Sequence, residues 1–197
     1  MGKILLVIGD AAEVLDTYYP YFRLKEAGYD VVVAGPNPRV YHLVLHDRHP
    51  DWDITVEYPG YTLKATAAFR DVNPVAYAGM VITGGRAPEY LRYDPDLVRI
   101  TKAFVASHKP VASICHGVEI LAAAGVIAGK VITTVAKCRY DVENSGGKYV
   151  DKEVAVSGGL VTARTWHDNP AWMREYLKLL TAGGLKKPTV RSAARKH

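Results

Sequence analysis

Residues 111–117 read VASICHG. A short apolar run typical of a buried strand stops at Cys115, and a helix-like segment over 118–124 follows at once. This pattern is typical of a nucleophile elbow, in which a sharp strand-to-helix turn lifts one side chain above the sheet edge between small neighbours, here Ser113 and Gly117. At a helix N-terminus the Cys115 thiolate would be favoured over the thiol. The alternative is a buried cysteine that ends a core strand.

Length and composition indicate one ordinary globular domain. The chain has 197 residues, 49% of them apolar and 23% charged, which suits a domain that buries about 70% of its unfolded surface. Two cysteines are too few for a disulfide framework, and no charged-then-apolar leader precedes the strand expected at 3–8. We therefore expect a cytoplasmic protein with reduced thiols. No apolar run approaches the roughly 20 residues that span a bilayer, so no membrane partner is expected.

The net charge of +5 comes from the end of the chain. Five of the 25 basic residues lie in 183–197, and the remaining 20 match the 20 acidic residues. A nucleic-acid-binding face with basic and aromatic residues interleaved is absent, so no nucleic-acid partner is predicted. We predict a single domain over 1–182, followed by a basic tail at 183–197 that solvates the C-terminus.

Short Val- and Ile-rich runs alternate with longer amphipathic stretches, which predicts a mostly parallel sheet with helices on both faces, a doubly wound α/β fold. Strands are expected at 3–8, 29–34, 80–83, 111–114 and 131–134, with a hairpin over 153–164 that turns at 157–159. Helices are expected at 13–27, 96–107 and 118–124, and from Asn169 onward. Residues 35–60 form a polar, aromatic excursion between the second and third strands.

Three groups of chemically capable residues follow predicted strands. Ligands of open parallel sheets bind beyond the carboxyl ends of the strands, where we expect Glu13, Gly84-Gly85 and Cys115-His116 to meet. A buried Glu13 can donate a hydrogen bond to the sulfur or, when ionised, move protons; alternatively it caps the first helix. The backbone N–H groups of Gly85 and His116 can form an oxyanion hole, unless the glycine pair is only a tight turn.

Two histidines are further candidates, since His116 can act as a base for the cysteine and His167 follows a strand at the same edge as a substrate contact. The histidine-rich segment at 42–49 lacks a compact ligand spacing, so no metal is predicted. Nucleotide binding is disfavoured because Gly84-Gly85 lacks the spacing of a phosphate loop. No cofactor is therefore expected.

Cys138 follows the strand expected at 131–134 and lies between two basic residues. If exposed, it would have a lowered pKa and serve as a resolving thiol. We favour the alternative that it is a bystander at the surface.

Three motifs together, ASICHG at 112–117, GGRAPE at 84–89 and YPYFRLK at 19–25, resemble the DJ-1/PfpI family, in particular its PfpI-type intracellular protease/amidase branch. The resemblance extends over about residues 3–181 and implies a flavodoxin-like α/β sandwich. It implies Cys115 as the nucleophile, Glu13 as its partner carboxyl, and Gly85 and His116 as oxyanion donors. It also implies a homo-oligomer, a dimer or hexamer, in which Glu89 of a neighbouring subunit orients His116.

Two segments depart from the pattern of that branch. Residues 35–60 are longer than in compact members and are expected to reshape the interface or cover the pocket. Residues 135–138 lack the aromatic residue and proline common there, so the pocket wall should differ.

The resulting hypothesis is a cysteine-dependent hydrolase or glyoxalase-like enzyme that acts on a small carbonyl, amide or peptide substrate through a Cys115 thiolate. Peptidase or amidase chemistry and 2-oxoaldehyde hydratase or deglycase chemistry both remain open. An alternative of another class is a redox-sensing or chaperone-like stress protein whose Cys115 is oxidised to a sulfinate. A third is an interaction scaffold that has lost catalysis.

Overall fold

The computed structural model of the chain describes residues 2–182. Its strands and helices, in chain order, are β1 Lys3–Val7, α1 Val14–Glu26, β2 Asp30–Gly35, β3 Val40–Asp47, β4 Val56–Lys64, β5 Ala67–Ala68, β6 Gly79–Ile82, α2 Ala87–Leu91, α3 Pro95–Ala106, β7 Val111–Ile114, α4 Val118–Ala123, β8 Val131–Ile132, α5 Arg139–Asn144, β9 Lys148–Tyr149, β10 Val154–Ser157, β11 Leu160–Ala163 and α6 Asn169–Ala182. The basic tail expected at 183–197 lies outside the described residues.

A seven-stranded sheet in the order β10-β11-β7-β6-β1-β2-β5 forms the centre of the domain. All neighbouring strands in it are parallel except β10 and β11, which pair as an antiparallel hairpin. The predicted doubly wound fold and the predicted hairpin are therefore both confirmed. Strands β6 and β7 are buried along their whole length, as expected of parallel strands covered on both faces.

The direction of the chain places helices on both faces of this sheet. The chain passes from β1 to β2 toward one edge of the sheet and from β6 to β7 toward the other edge. Because both crossovers are right-handed, α1 and α3 lie on opposite faces. Helix α6 packs beside α1, and α4 packs beside α3. Strand order reverses between β1 and β6, so a crevice opens at their carboxyl ends, the usual ligand site of such sheets.

Helix α6 closes one face with the residues that helical spacing predicts. Trp172, Met173, Tyr176 and Leu180 are completely buried, and the indole Nε1 of Trp172 donates a hydrogen bond to the Val161 carbonyl at 3.1 Å. No helix within residues 2–182 has the length and apolar character to cross a membrane.

Two segments differ from the expectations. The excursion at 35–60 contains strand β3 and the start of β4, which form an antiparallel hairpin; alternate burial of Tyr41 and Leu43 in β3 is the period-two signal for it. Hydrogen bonds from Ala11 to the His42 carbonyl (2.8 Å) and from Val44 to the Ala12 carbonyl (2.9 Å) bind this hairpin to the β1–α1 loop. The strand expected at 131–134 is reduced to β8, which pairs with β9 outside the main sheet.

Candidate active site

The elbow has the geometry that the sequence predicts. Ile114 is extended, whereas Cys115 has a φ of 55°, a left-handed conformation that few non-glycine residues adopt. The Thr134 hydroxyl donates a 2.6 Å hydrogen bond to the Cys115 carbonyl. A Cβ atom on Gly117 would lie 2.7 Å from the Ser113 Oγ and 3.1 Å from the Ile82 carbonyl oxygen, so the turn favours a glycine there. The strained turn is thus held by its surroundings.

Two backbone N–H groups face the sulfur, those of Gly85 and His116. Gly85 has a φ of 82°, and a Cβ atom there would overlap the Ala11 carbonyl oxygen and the Glu13 nitrogen. The neighbouring Arg86 N–H donates to that same Ala11 carbonyl at 2.8 Å. The β1–α1 loop therefore holds the β6–α2 loop in place. Both N–H groups point toward the position that an oxyanion formed next to the sulfur would occupy.

The His116 ring turns toward the sulfur, with Nδ1 3.3 Å from the Cys115 Sγ. Burial lowers the pKa of His116 to about 4. At neutral pH the imidazole is therefore uncharged. It can accept the thiol proton, as a base for a cysteine nucleophile must.

The charge state of Cys115 differs from the expectation drawn from the helix N-terminus. Burial raises the pKa of the thiol well above its ordinary value, while the Gly85 and His116 N–H groups oppose the rise. Helix α4 has only six residues, which limits the dipole available to the sulfur. The helix end alone therefore does not ionise Cys115.

Glu13 takes the role that the sequence left as its alternative. Its Oε2 atom accepts a 2.7 Å hydrogen bond from the Asp16 N–H and caps α1. The backbone N–H of His46 also faces this carboxyl, so Glu13 links the hairpin to the helix. Burial raises the pKa of Glu13 to about 7.

The carboxyl next to the sulfur is Asp16, which the sequence analysis missed. It is completely buried, and neither carboxyl oxygen has a partner within residues 2–182. A Cβ atom on Gly84 would overlap Asp16 Oδ2 and lie 2.5 Å from the Cys115 Cβ. Burial raises the pKa of Asp16 well above its ordinary value, with Glu13 adding to the rise, so this carboxyl is neutral at the sulfur. Its position three residues after Glu13, in the first turn of α1, was the available signal.

A cavity of about 460 Å³ opens above Cys115 and His116. The β3–β4 hairpin supplies much of its wall, namely His46, Arg48, Ile54, Thr55 and Glu57. Val135 and Lys137 line another side, where the sequence departs from the PfpI-type pattern. The long segment at 35–60 therefore forms part of the pocket wall.

Two predicted site residues, Glu89 and His167, line different cavities. Glu89, exposed in α2, lines the cavity that contains Cys115. His167 lines an adjacent cavity instead, whereas Trp166 lines the one above Cys115. Trp166 lines both cavities, so the neighbour of His167, and not His167 itself, lies at the cavity above Cys115.

Cys138 is buried, with 2% of its surface exposed, so the expectation of a surface position is wrong. Its Sγ donates to Glu119 Oε1 at 3.7 Å, and burial raises the pKa of the thiol.

Ligand atoms of His116, Glu119 and Cys138 lie within 4.8 Å of one another, a grouping that can hold a metal ion. Arg92, 3.4 Å from Glu119 Oε2, already supplies a positive charge there, which opposes a cation.

Comparison with known proteins shows similarity to one family along residues 2–179. The DJ-1/PfpI family pattern matches residues 2–179. The chain is 40% identical to "Deglycase TK1284" of Thermococcus kodakarensis over 178 residues, which cover 90% of this chain and 99% of that protein. It is 39% identical to "Deglycase PfpI" of Pyrococcus furiosus, with the same coverage. The "Putative cysteine protease YraA" of Bacillus subtilis is 35% identical over 90% of this chain and 98% of its own length.

Solved structures show the same fold. A two-domain protein of Anabaena variabilis with DJ-1/ThiJ/PfpI-like and ferritin-like domains superposes with a TM-score of 0.79 at 27% identity, over 98% of this chain and 52% of that one. This chain thus spans about half of that protein. DJ-1 of Schizosaccharomyces pombe superposes with a TM-score of 0.73 at 22% identity, over 93% of each chain.

Proposed function

The chain belongs to the DJ-1/PfpI family, and from that premise we propose that it is a cysteine-dependent hydrolase or deglycase whose nucleophile is Cys115. One observation carries the proposal: the Cys115 Sγ lies 3.3 Å from His116 Nδ1 beneath a cavity, with two N–H groups aimed at it. Nucleophile, base and oxyanion donors are the three parts that attack on a carbonyl needs.

The reaction begins when the sulfur attacks a carbonyl carbon. His116 Nδ1 takes the thiol proton as the carbon–sulfur bond forms, and the carbonyl oxygen receives hydrogen bonds from the Gly85 and His116 N–H groups. The neutral Asp16 carboxyl behind the sulfur places no negative charge against the forming thiolate. An amide adduct then expels its amine. A 2-oxoaldehyde adduct, a hemithioacetal, rearranges to a thioester, which water hydrolyses to a hydroxy acid.

We favour the second course, glyoxalase or deglycase chemistry on a small carbonyl compound, over peptide cleavage. A cavity of about 460 Å³ lies in the range typical of small-molecule sites. Relatives that match nearly their full length are named deglycases. The cysteine protease name of another relative makes amide substrates the second class to test.

We also propose that the chain works as a homo-oligomer, a dimer or hexamer, in the cytoplasm. The support is the position of Glu89, which is exposed beside the cavity near the start of α2. In such an assembly the partner subunit's Glu89 reaches His116 and orients its ring.

The direct test measures turnover of methylglyoxal and of a chromogenic peptide amide by the wild type, Cys115→Ser and the control Cys138→Ser. We expect conversion of methylglyoxal to a hydroxy acid that disappears in Cys115→Ser and persists in Cys138→Ser. Turnover of the amide alone would assign the protease class. If neither substrate shows turnover that depends on Cys115, the proposal is wrong and a redox-sensing role is favoured.

A further inference from the structure

The imidazole of His46 also lines the cavity above Cys115. It has no role in the attack by Cys115 with His116 as the base. His46 lies on β3, its side chain is only 7% exposed, and it lines the same cavity as Cys115 and His116. Its Nε2 atom lies 3.0 Å from Oε2 of Glu57, the residue directly opposite on β4. The hairpin therefore brings a histidine–carboxylate pair to the nucleophile.

Arg86 holds the Glu57 carboxylate of this pair in position. Its Nε and Nη2 atoms each donate a 2.7 Å hydrogen bond to one oxygen of Glu57. This contact is the main reason that the pKa of Glu57 falls to about 2, so the carboxylate is ionised and accepts the proton of His46 Nε2. Because Nε2 faces the Glu57 carboxylate, Nδ1 is the ring nitrogen left to accept a hydrogen bond or a proton. Arg86 directly follows Gly85, so the ion pair also ties the hairpin to the loop that carries an oxyanion donor.

The proposed reaction on a 2-oxoaldehyde contains a step that needs a second base. After attack, His116 carries the thiol proton and acts as an acid toward the new alkoxide. The next step removes the hydrogen bound to the carbon that bears the sulfur. His116 exchanges protons with the sulfur and the substrate oxygens in this scheme, and neither Glu13 nor Asp16 is among the residues that line the cavity with Cys115.

We propose that His46 is the base for this carbon-bound proton, with Glu57 and Arg86 as positioning residues. The inference rests on the proposed function and narrows its substrates to 2-oxoaldehydes and their equivalents. His46 Nδ1 takes the proton from the sulfur-bearing carbon, and the electron pair forms the double bond of an enediolate. His46 then returns that proton to the neighbouring carbon, while one proton passes between the two oxygens through His116.

The step balances within the substrate. The former aldehyde carbon is oxidised to a thioester carbonyl, and the former ketone carbon is reduced to an alcohol carbon. Water then cleaves the carbon–sulfur bond, which yields a 2-hydroxy acid and restores the Cys115 thiol. No external oxidant or reductant takes part.

The test compares the wild type, His46→Gln and the matched control His42→Gln, which changes an exposed histidine on the same strand. Three quantities are measured: kcat with methylglyoxal, the Cys115 adduct by intact-protein mass spectrometry, and the rate of Cys115 alkylation by iodoacetamide. In His46→Gln we expect kcat to fall about 100-fold, the adduct to accumulate and alkylation to stay near the wild-type rate, because His116 still accepts the thiol proton. His42→Gln should match the wild type in all three.

Glu57→Gln tests the positioning role, and we expect a smaller loss of kcat than in His46→Gln, again without a change in alkylation. The inference is overturned if His46→Gln keeps the kcat of His42→Gln, or if its alkylation and turnover fall together, which indicates a structural role. A wild type that shows no Cys115-dependent turnover of methylglyoxal overturns the proposed function itself. That outcome is distinct, because it appears before any hairpin variant is compared.

Discussion

The Sγ atom of Cys115 lies 3.3 Å from Nδ1 of His116, the next residue in the chain. Consecutive side chains of a strand point to opposite faces of the sheet, so this contact requires the chain to leave the strand at Cys115 itself. The φ of 55° at Cys115 provides that change of direction. A local turn thus builds a thiol–imidazole pair without a residue from elsewhere in the chain.

Replacing His116 removes the acceptor of the thiol proton. We expect His116→Gln to slow alkylation of Cys115 at pH 7 and to lower turnover by about 10²–10⁴-fold. His167→Gln, which changes a histidine of the adjacent cavity, serves as the control and should keep nearly full activity. The rates are followed by iodoacetamide labelling and by hydroxy acid formation; equal effects of the two substitutions would contradict the assignment of the base.

The glycine at position 85 is needed for both conformation and space. Gly85→Ala places a Cβ against the Ala11 carbonyl at a φ of 82°, and we expect a loss of more than about 2 kcal/mol in unfolding free energy together with loss of turnover. Gly125→Ala is the matched control, because Gly125 also has a positive φ, 65°, but open space around its Cβ position. It should cost about 1 kcal/mol and leave activity intact. Urea unfolding and turnover assays check both, and similar losses in the two variants would disprove the steric argument.

The pKa of Glu13 predicts how stability changes with pH. Burial raises this pKa from 4.5 to about 7 in the folded chain. Protonated Glu13 therefore stabilises the fold fully below about pH 4.5, and this contribution is lost as the pH rises through about 7. We expect Glu13→Gln, which cannot ionise, to reduce the fall in unfolding free energy between pH 5 and pH 8 by at most about 3 kcal/mol. Asp16 keeps its own contribution of the same sign.

The control for that measurement is Glu26→Gln, which changes an exposed acid on the same helix and should leave the pH dependence of the wild type unchanged. Urea titrations at a series of pH values give the comparison. A Glu13→Gln protein with the pH dependence of the wild type would show that this carboxyl is ionised in the folded chain.

The proposed action of Glu89 across an interface predicts complementation between inactive variants. Cys115→Ser lacks the nucleophile but keeps Glu89, whereas Glu89→Gln keeps the nucleophile. If the partner subunit's Glu89 orients His116, mixing the two variants and allowing subunits to exchange restores part of the turnover. Analytical ultracentrifugation checks that mixed oligomers form. Mixed oligomers that stay inactive would place Glu89 within its own subunit or outside the mechanism.

The sequence by itself determined the features that depend on neighbouring residues. The elbow at Cys115, the parallel strands on either side of it and the hairpin at 153–164 follow from local periodicity and turn residues, which act on φ and ψ over a few positions. The meeting of the β1–α1 loop, Gly85 and Cys115 follows too, because the carboxyl ends of parallel strands share one edge.

Only the tertiary structure decided the pKa values of the site residues and which distant residues line the cavity. Asp16 rather than Glu13 lies at the sulfur, Cys138 is buried, and His46, Glu57 and Arg86 join over the cavity from three separate positions in the chain. Burial and electrostatic interaction depend on which distant segments come together in space, and these set the pKa values of Cys115, Asp16 and His116. A local sequence pattern does not determine which distant segments come into contact. The pKa values and the lining of the pocket therefore depend on the tertiary structure.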